Sequence, residues 1–203
     1  MSPSTVWLSC GVLRAELQAL LDQGRIRGEL IFLDSMLHMD PPRLEQILHK
    51  LLGQQTAAAR CLVLVYGDCC SRMLDLTRQF HVGRVNAINC AQLLVGHARY
   101  RQLMQQQAFL VLPEWAGRWK QIMHHELGLS EQVARDLMGE HRGMLVYLDT
   151  GLIPVPEQEL EAFAGYCGLP WHSESITLDT MLALLLEAEA AAQTAHLSGE
   201  QSP

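Results

Sequence analysis

The sequence predicts a three-layer α/β/α protein with a mostly parallel sheet whose strand ends carry cysteines. Three observations predict it. Short runs rich in Val and Leu alternate with amphipathic stretches at helical spacing, the pattern of a sheet covered on both faces. The run Leu62-Val-Leu-Val-Tyr66 has no polar break, which suits a strand buried on both sides. A strand–Cys–helix layout occurs three times, at Val6–Cys10, Leu62–Cys69 and Val85–Cys90.

In chain order, Val6-Trp-Leu-Ser-Cys10 reads as the first strand, followed by a helix carrying Leu13, Leu17, Leu20 and Leu21. Gly24 and Gly28 break that helix, and Leu30–Leu33 reads as strand two. The loop 34–40 holds His38 and ends in Asp40, a predicted N-cap before Pro41 and Pro42. The next helix places Leu44, Ile47, Leu48, Leu51 and Leu52 on one face. Strand three is stopped by Gly67 and Asp68; Cys69 and Cys70 follow, and Ser71 opens a helix with Met73, Leu74, Leu76 and Phe80. Strand four is expected to end at Cys90, before a helix that reaches Gln106.

Ala108–Leu112 reads as strand five, stopped by Pro113, and a helix is expected from Glu114 to Glu126. Ser130 is the predicted cap of a further helix with Val133, Leu137 and Met138 inward. Met144–Leu148 is strand six, closed by Asp149-Thr150-Gly151. A helix over Glu157–Tyr166, an extended segment within 169–176 and an Ala- and Leu-rich helix over Asp179–Ala195 complete the reading. No linker divides the chain, so residues 1–196 are expected to form one domain, with 197–203 as a frayed polar tail.

The composition excludes several function classes. The net charge is −7 and the two lysines are Lys50 and Lys120, which argues against a nucleic-acid or anionic-membrane surface. The apolar runs fall far short of the roughly 20 residues that span a bilayer. The start lacks the basic and apolar regions of a signal peptide, so a cytoplasmic location is expected. The six cysteines are then not expected to form a disulfide framework. Cys61 and Cys167 read as small buried apolar residues.

Cys10, Cys69 and Cys90 read differently, because each falls where a strand ends and a helix begins. In open α/β sheets that edge is where ligands bind. Three thiols with one open position suit zinc, or a [4Fe-4S] cluster with one iron left free. Cys70 is an alternative to its neighbour Cys69, since only one of two adjacent side chains is expected to point inward. His38 is a candidate fourth ligand or acid/base group at the same edge. Asp149 is a candidate catalytic carboxylate beside Thr150 and Gly151, which with Gly67 offer turn backbone for a bound cofactor or substrate. Asp68 reads as a helix cap. His124-His125-Glu126 lacks the i, i+4 histidine pair of a helical metal site.

Several ordered segments together resemble the DUF1638 family of bacteria and archaea. They are Leu8-Ser-Cys10-Gly-Val-Leu-Arg-Ala-Glu-Leu, Leu37-His38 before Pro42, and Leu64-Val-Tyr66-Gly67-Asp-Cys69. The series continues with Asn89-Cys90-x-x-Leu-Leu-x-Gly96-x-x-x-Tyr100, Leu112-Pro-Glu-Trp115 and Tyr147-Leu-Asp149-Thr150-Gly151. The resemblance implies that Cys10, His38, Cys69 and Cys90 are the positions that matter, and it implies a setting in corrinoid-linked one-carbon metabolism. This chain departs from the family pattern at Cys70-Ser-Arg72 and at Ile88-Asn89, both beside the expected site.

The expected function is therefore binding of zinc or an iron–sulfur cluster by Cys10, Cys69 and Cys90. Its open position would activate a small thiol, a methyl acceptor or a hydroxy acid. One alternative is a non-enzymatic accessory factor that holds a metal or cofactor for a partner metalloprotein. Another is a metal-free thiol protein. Homo-oligomerisation fits each of them.

Overall fold

The computed structural model describes residues 5–58 and 60–199. In chain order the elements are β1 (Thr5–Cys10), α1 (Arg14–Asp22), β2 (Glu29–Leu33), α2 (Pro41–Ala57), β3 (Cys61–Val65), α3 (Met73–Gln79), β4 (Gly83–Arg84) and α4 (Cys90–Gln105). They continue with β5 (Ala108–Val111), α5 (Pro113–Ala116), α6 (Glu131–His141), β6 (Met144–Asp149), α7 (Glu157–Cys167), β7 (Trp171–Ser175) and α8 (Asp179–Gly199). All strand pairs are parallel, and helices flank the sheets in a three-layer α/β arrangement.

The strands pair into two sheets, where the sequence reading has one sheet in a single 1–196 domain. One compact unit runs to Gly96 and resumes at Leu178; the other is His97–Thr177. No Pro- or Ser-rich linker marks the change, because α4 itself carries the chain across it. The helix is interrupted at Gly96, whose φ of 78° and ψ of 165° are non-helical.

The first unit holds a four-stranded sheet in the order β2-β1-β3-β4. β1 and β3 are its inner strands and are buried at every residue, as an unbroken apolar run predicts. β2 lies at an edge and is only partly buried. α2 buries Leu44, Leu48 and Leu52 at i, i+4, i+8, and Asp40 caps it by accepting from the Arg43 N–H. α1 buries Leu17 and Leu20, and with them Glu16. α8 packs on β3 and β4.

Two expectations in this unit are corrected. The fourth strand is only Gly83–Arg84, and residues 85–89 are irregular. Asn89 Oδ1 accepts from the Gln92 N–H at 2.8 Å while Gln92 Oε1 accepts from the Ile88 N–H at 2.9 Å, so local side chains satisfy this backbone and start α4 instead of a strand. The helix expected from Ser71 begins at Met73, and Leu74 is exposed on it.

The second unit has a three-stranded sheet in the order β5-β6-β7. Its core gathers Trp119, Tyr147, Phe163 and Tyr166, with the Trp119 and Phe163 rings stacked at 5.2 Å. The helix expected over 114–126 is α5 followed by a π-helical stretch at Gln121–Glu126. In α6, capped by Ser130 as expected, the buried face is Ala134 and Met138; Val133 and Leu137 are exposed. α8 extends through Gly199, so 197–199 are helical, and the rest of the expected tail lies outside the described residues. Among the described residues, no helix is long and apolar enough to cross a membrane.

Candidate functional site

The strand order β2-β1-β3-β4 creates a switch point. The chain leaves β1 toward β2 on one side, and leaves β3 toward β4 on the other. Between the carboxyl ends of β1 and β3 the connections diverge, the topological position at which open parallel sheets bind ligands. Cys10 is the last residue of β1. Tyr66, Gly67, Asp68 and Cys69 form the segment that leaves β3.

The third cysteine arrives from the loop after β4. The Asp68 N–H donates to the Ile88 carbonyl at 2.9 Å, tying the exit of β3 to the approach of α4. Gly67 makes this possible, because any side chain there would collide with the backbone of Ile88 and Asn89. Cys90, the first residue of α4, is thereby set beside the other two. A similar device operates at β1, where Gly11 packs closely under the Leu33 carbonyl at the end of β2. A glycine follows Cys10 and another precedes Cys69 by two residues, and both let backbones crowd at the rim.

The thiols interact. The Cys90 S–H donates to the Cys10 sulfur, and this bond, followed by burial and the nearby Cys10, Cys69 and Glu16, holds the Cys90 thiol protonated well above its ordinary range. Burial first, then Cys10 and Cys70, pushes Cys69 up to about 11. At neutral pH Cys69 and Cys90 are therefore neutral. Cys10 is buried, while Cys69 and Cys90 are partly open. Among the described residues, no group of three or more His, Cys, Asp or Glu is arranged to hold a metal ion.

The adjacent cysteines have different surroundings. The charges acting on Cys69 include Cys10, whereas those acting on Cys70 come from Glu45, Arg84 and Arg72. Cys70 thus looks toward α2 and β4, and its thiol is also raised, chiefly by burial.

His38 lies in a 3₁₀ turn, Ser35–Met39, at the end of β2, and its Nδ1–H donates to the Ser35 carbonyl at 2.5 Å. Asp149 ends β6 and Thr150 and Gly151 follow it, in a different sheet from the thiols; Asp149 Oδ1 accepts from the Gly151 N–H at 2.9 Å and closes that turn. Asp68 is not a helix cap. Both terminal nitrogens of Arg84 donate to its Oδ1 at 2.9 Å, which clamps the β3 exit to β4.

A family profile described as a protein of unknown function, DUF1638, matches residues 32–185. The chain belongs to the DUF1638 family. No curated protein and no solved structure matches it. In this DUF1638 protein His38, Tyr66, Cys69 and Cys90 lie inside the matched span, and Cys10 and Glu16 precede it.

Three further residues of this DUF1638 protein were missed in the sequence. Tyr66 is 2% exposed, and its hydroxyl has no hydrogen-bond partner among the described residues. Burial first, then Cys10, Cys90, Cys69 and Asp34, keep its phenol protonated far above the usual range. Asp34 lies at the end of β2 and also accepts from the Met36 N–H at 2.8 Å. Glu16 is 1% exposed and acts on Cys90. Its signal was legible: a glutamate three residues after Leu13 and four before Leu20 sits on the apolar stripe of α1. Tyr66 gave no signal, because an aromatic at the end of an apolar strand is ordinarily core.

Proposed function

We propose that this DUF1638 protein binds a soft metal centre, zinc or an iron–sulfur cluster, through Cys10, Cys69 and Cys90. The observation that carries this reading is the meeting of three cysteines at the switch point of one sheet, with the Cys90 S–H on the Cys10 sulfur. Thiolates are soft ligands suited to both centres. The groups acting on Cys69 and Cys90 are thiols and carboxylates, with no arginine or lysine among the dominant ones. Such thiols are poor nucleophiles, because the thiolate is the reactive form. Cys10, Cys69 and Cys90 would bind a cation as thiolates, with its positive charge favouring loss of their protons.

Cys10, Cys69 and Cys90 would hold the metal at a rim fixed by the Gly67 crossing and the Arg84–Asp68 clamp. When bound, the metal supplies Lewis acidity at the position that the three cysteines leave open. The small molecule that takes this position is a thiol, a methyl acceptor or a hydroxy acid, in keeping with a one-carbon setting.

Anaerobic purification with metal analysis and a visible spectrum tests the reading. The expected result is zinc, or iron with broad visible absorption, bound in one site and lost in Cys10→Ser, Cys69→Ser and Cys90→Ser. A wild-type chain that takes up neither metal on reconstitution overturns it. The same Cys10–Cys90 contact favours a second reading, a metal-free dithiol that cycles through a disulfide. Absence of metal together with reversible oxidation of that pair would select it.

A further inference from the structure

We propose that the Tyr66 hydroxyl, buried and unpartnered beside Cys10, Cys69 and Cys90, donates a hydrogen bond to a neutral oxygen of the small ligand taken by the thiol site. This inference rests on the metal-binding reading above and adds the class of ligand.

Tyr66 is the residue that directly follows β3, at the switch point. It is 2% exposed, and among the described residues nothing accepts its O–H. A buried hydroxyl without a partner is costly, and such groups are rare in folded proteins. A phenylalanine would fill the same space without that cost. The hydroxyl is thus an unanswered donor in the place where the thiols meet, with Cys10, Cys90, Cys69 and Asp34 acting on it.

Those neighbours also determine the charge of the acceptor. All four are acids, and Glu16 lies nearly buried by Cys90. A carboxylate ligand would add a negative charge among them, and no arginine or lysine is among the dominant groups acting on Tyr66, Cys69 or Cys90. A carbonyl or hydroxyl oxygen accepts the same hydrogen bond without adding charge. Of the ligand classes named above, the site accordingly takes a small neutral molecule with an acceptor oxygen close to its metal-binding atom, and not an ionised hydroxy acid. Discrimination of this kind is strong, because a ligand lacking the oxygen leaves the donor unpaired again.

The test compares full-length wild type with Tyr66→Phe, both loaded with cobalt(II) as a coloured substitute for zinc. The probes are 2-mercaptoacetamide, propanethiol and mercaptoacetate, titrated by the change in the cobalt spectrum. Wild type is expected to bind mercaptoacetamide about tenfold or more above propanethiol, with mercaptoacetate below the amide. In Tyr66→Phe the amide's advantage disappears, while cobalt stoichiometry stays the same. In the metal-free state Tyr66→Phe is expected to melt no lower than wild type, and up to a few degrees higher. Tyr166→Phe, which removes a hydroxyl that donates to the Leu129 carbonyl, is expected to melt lower.

Equal probe affinities in wild type and Tyr66→Phe, with cobalt bound in both, overturn this proposal and leave the metal reading intact. Preference for mercaptoacetate over the amide overturns the neutral-oxygen assignment. A Tyr66→Phe protein that melts well below wild type shows a structural partner for the hydroxyl and also overturns it. Failure of wild type to take up cobalt removes the metal reading and this proposal together.

Discussion

A Cβ on Gly67 would stand 2.2 Å from the carbonyl oxygen of Ile88, well inside van der Waals contact. The same carbonyl accepts the Asp68 N–H at 2.9 Å. The exit of β3 and the approach to α4 therefore touch backbone to backbone, and only glycine permits it. Gly67→Ala is expected to push this loop away, destabilise the protein by about 1–3 kcal/mol as overpacking does, and displace Cys90. Urea denaturation measures the first effect. Metal stoichiometry measures the second, and retention of both at wild-type level would refute the positioning role.

Cys69 and Cys70 are neighbours in sequence with different surroundings. Cys69 feels Cys10, and Cys70 feels Glu45, Arg84 and Arg72. Cys69→Ser is expected to abolish metal uptake, and Cys70→Ser to leave its stoichiometry unchanged. The reverse result, read by elemental analysis of the two purified variants, would reassign the ligand.

The Cys90 S–H already donates to the Cys10 sulfur, so these two sulfurs are the pair set to be oxidised. Treatment of the metal-free protein with diamide is expected to remove two protons and two electrons from them, reducing diamide to its hydrazine and forming a Cys10–Cys90 disulfide. The reaction should quicken as the pH rises and thiolate forms. Peptide mapping after alkylation reads the linkage. Loading with zinc should suppress it, and a Cys69–Cys70 linkage as the main product would contradict the geometry.

Burial raises Cys69 and Cys167 each to about 11, above an ordinary value of 9.0. The folded state therefore holds these protons where the unfolded chain releases them. Stability from this source is complete below pH 9 and lost as pH rises toward 11, at up to about 1.4 kcal/mol per pH unit for each thiol. Metal-free protein should show a falling denaturant midpoint across that window. Substituting Cys167→Ala and Cys69→Ala together should flatten the fall. A midpoint that rises over the same range would contradict the assignment. Metal binding runs the other way, since it displaces protons and strengthens with pH.

The legible part of the site followed from local chemistry. Cys10 at a strand end needed only the run Val6–Cys10 and the glycine after it. Asp40 before Pro41 and Pro42, and Ser130 before Glu131, announced their helix starts because caps act within three residues. The fourth strand misled because Val85, Ala87 and Ile88 alternate with Asn86 and Asn89 in an apolar pattern. Short-range hydrogen bonds from Asn89 and Gln92 claimed that backbone instead. Asp149 ends a strand of the other sheet, since which strands share a sheet depends on pairing and not on the similarity of their ends.

The sequence by itself determined the parallel α/β layering, the capped helices and the three cysteines at strand or loop ends, because periodicity, caps and apolar runs are local properties of a chain. Only the tertiary structure decided that the strands divide into two sheets, that β1 and β3 lie side by side with their connections diverging, and that Gly67 lets Cys90 close the group. It also decided that Glu16 and Tyr66 lie by the thiols. These outcomes depend on backbone pairing and close approach between residues up to eighty positions apart, such as Cys10 and Cys90, and the cost of such contacts is settled only when the whole sheet is assembled.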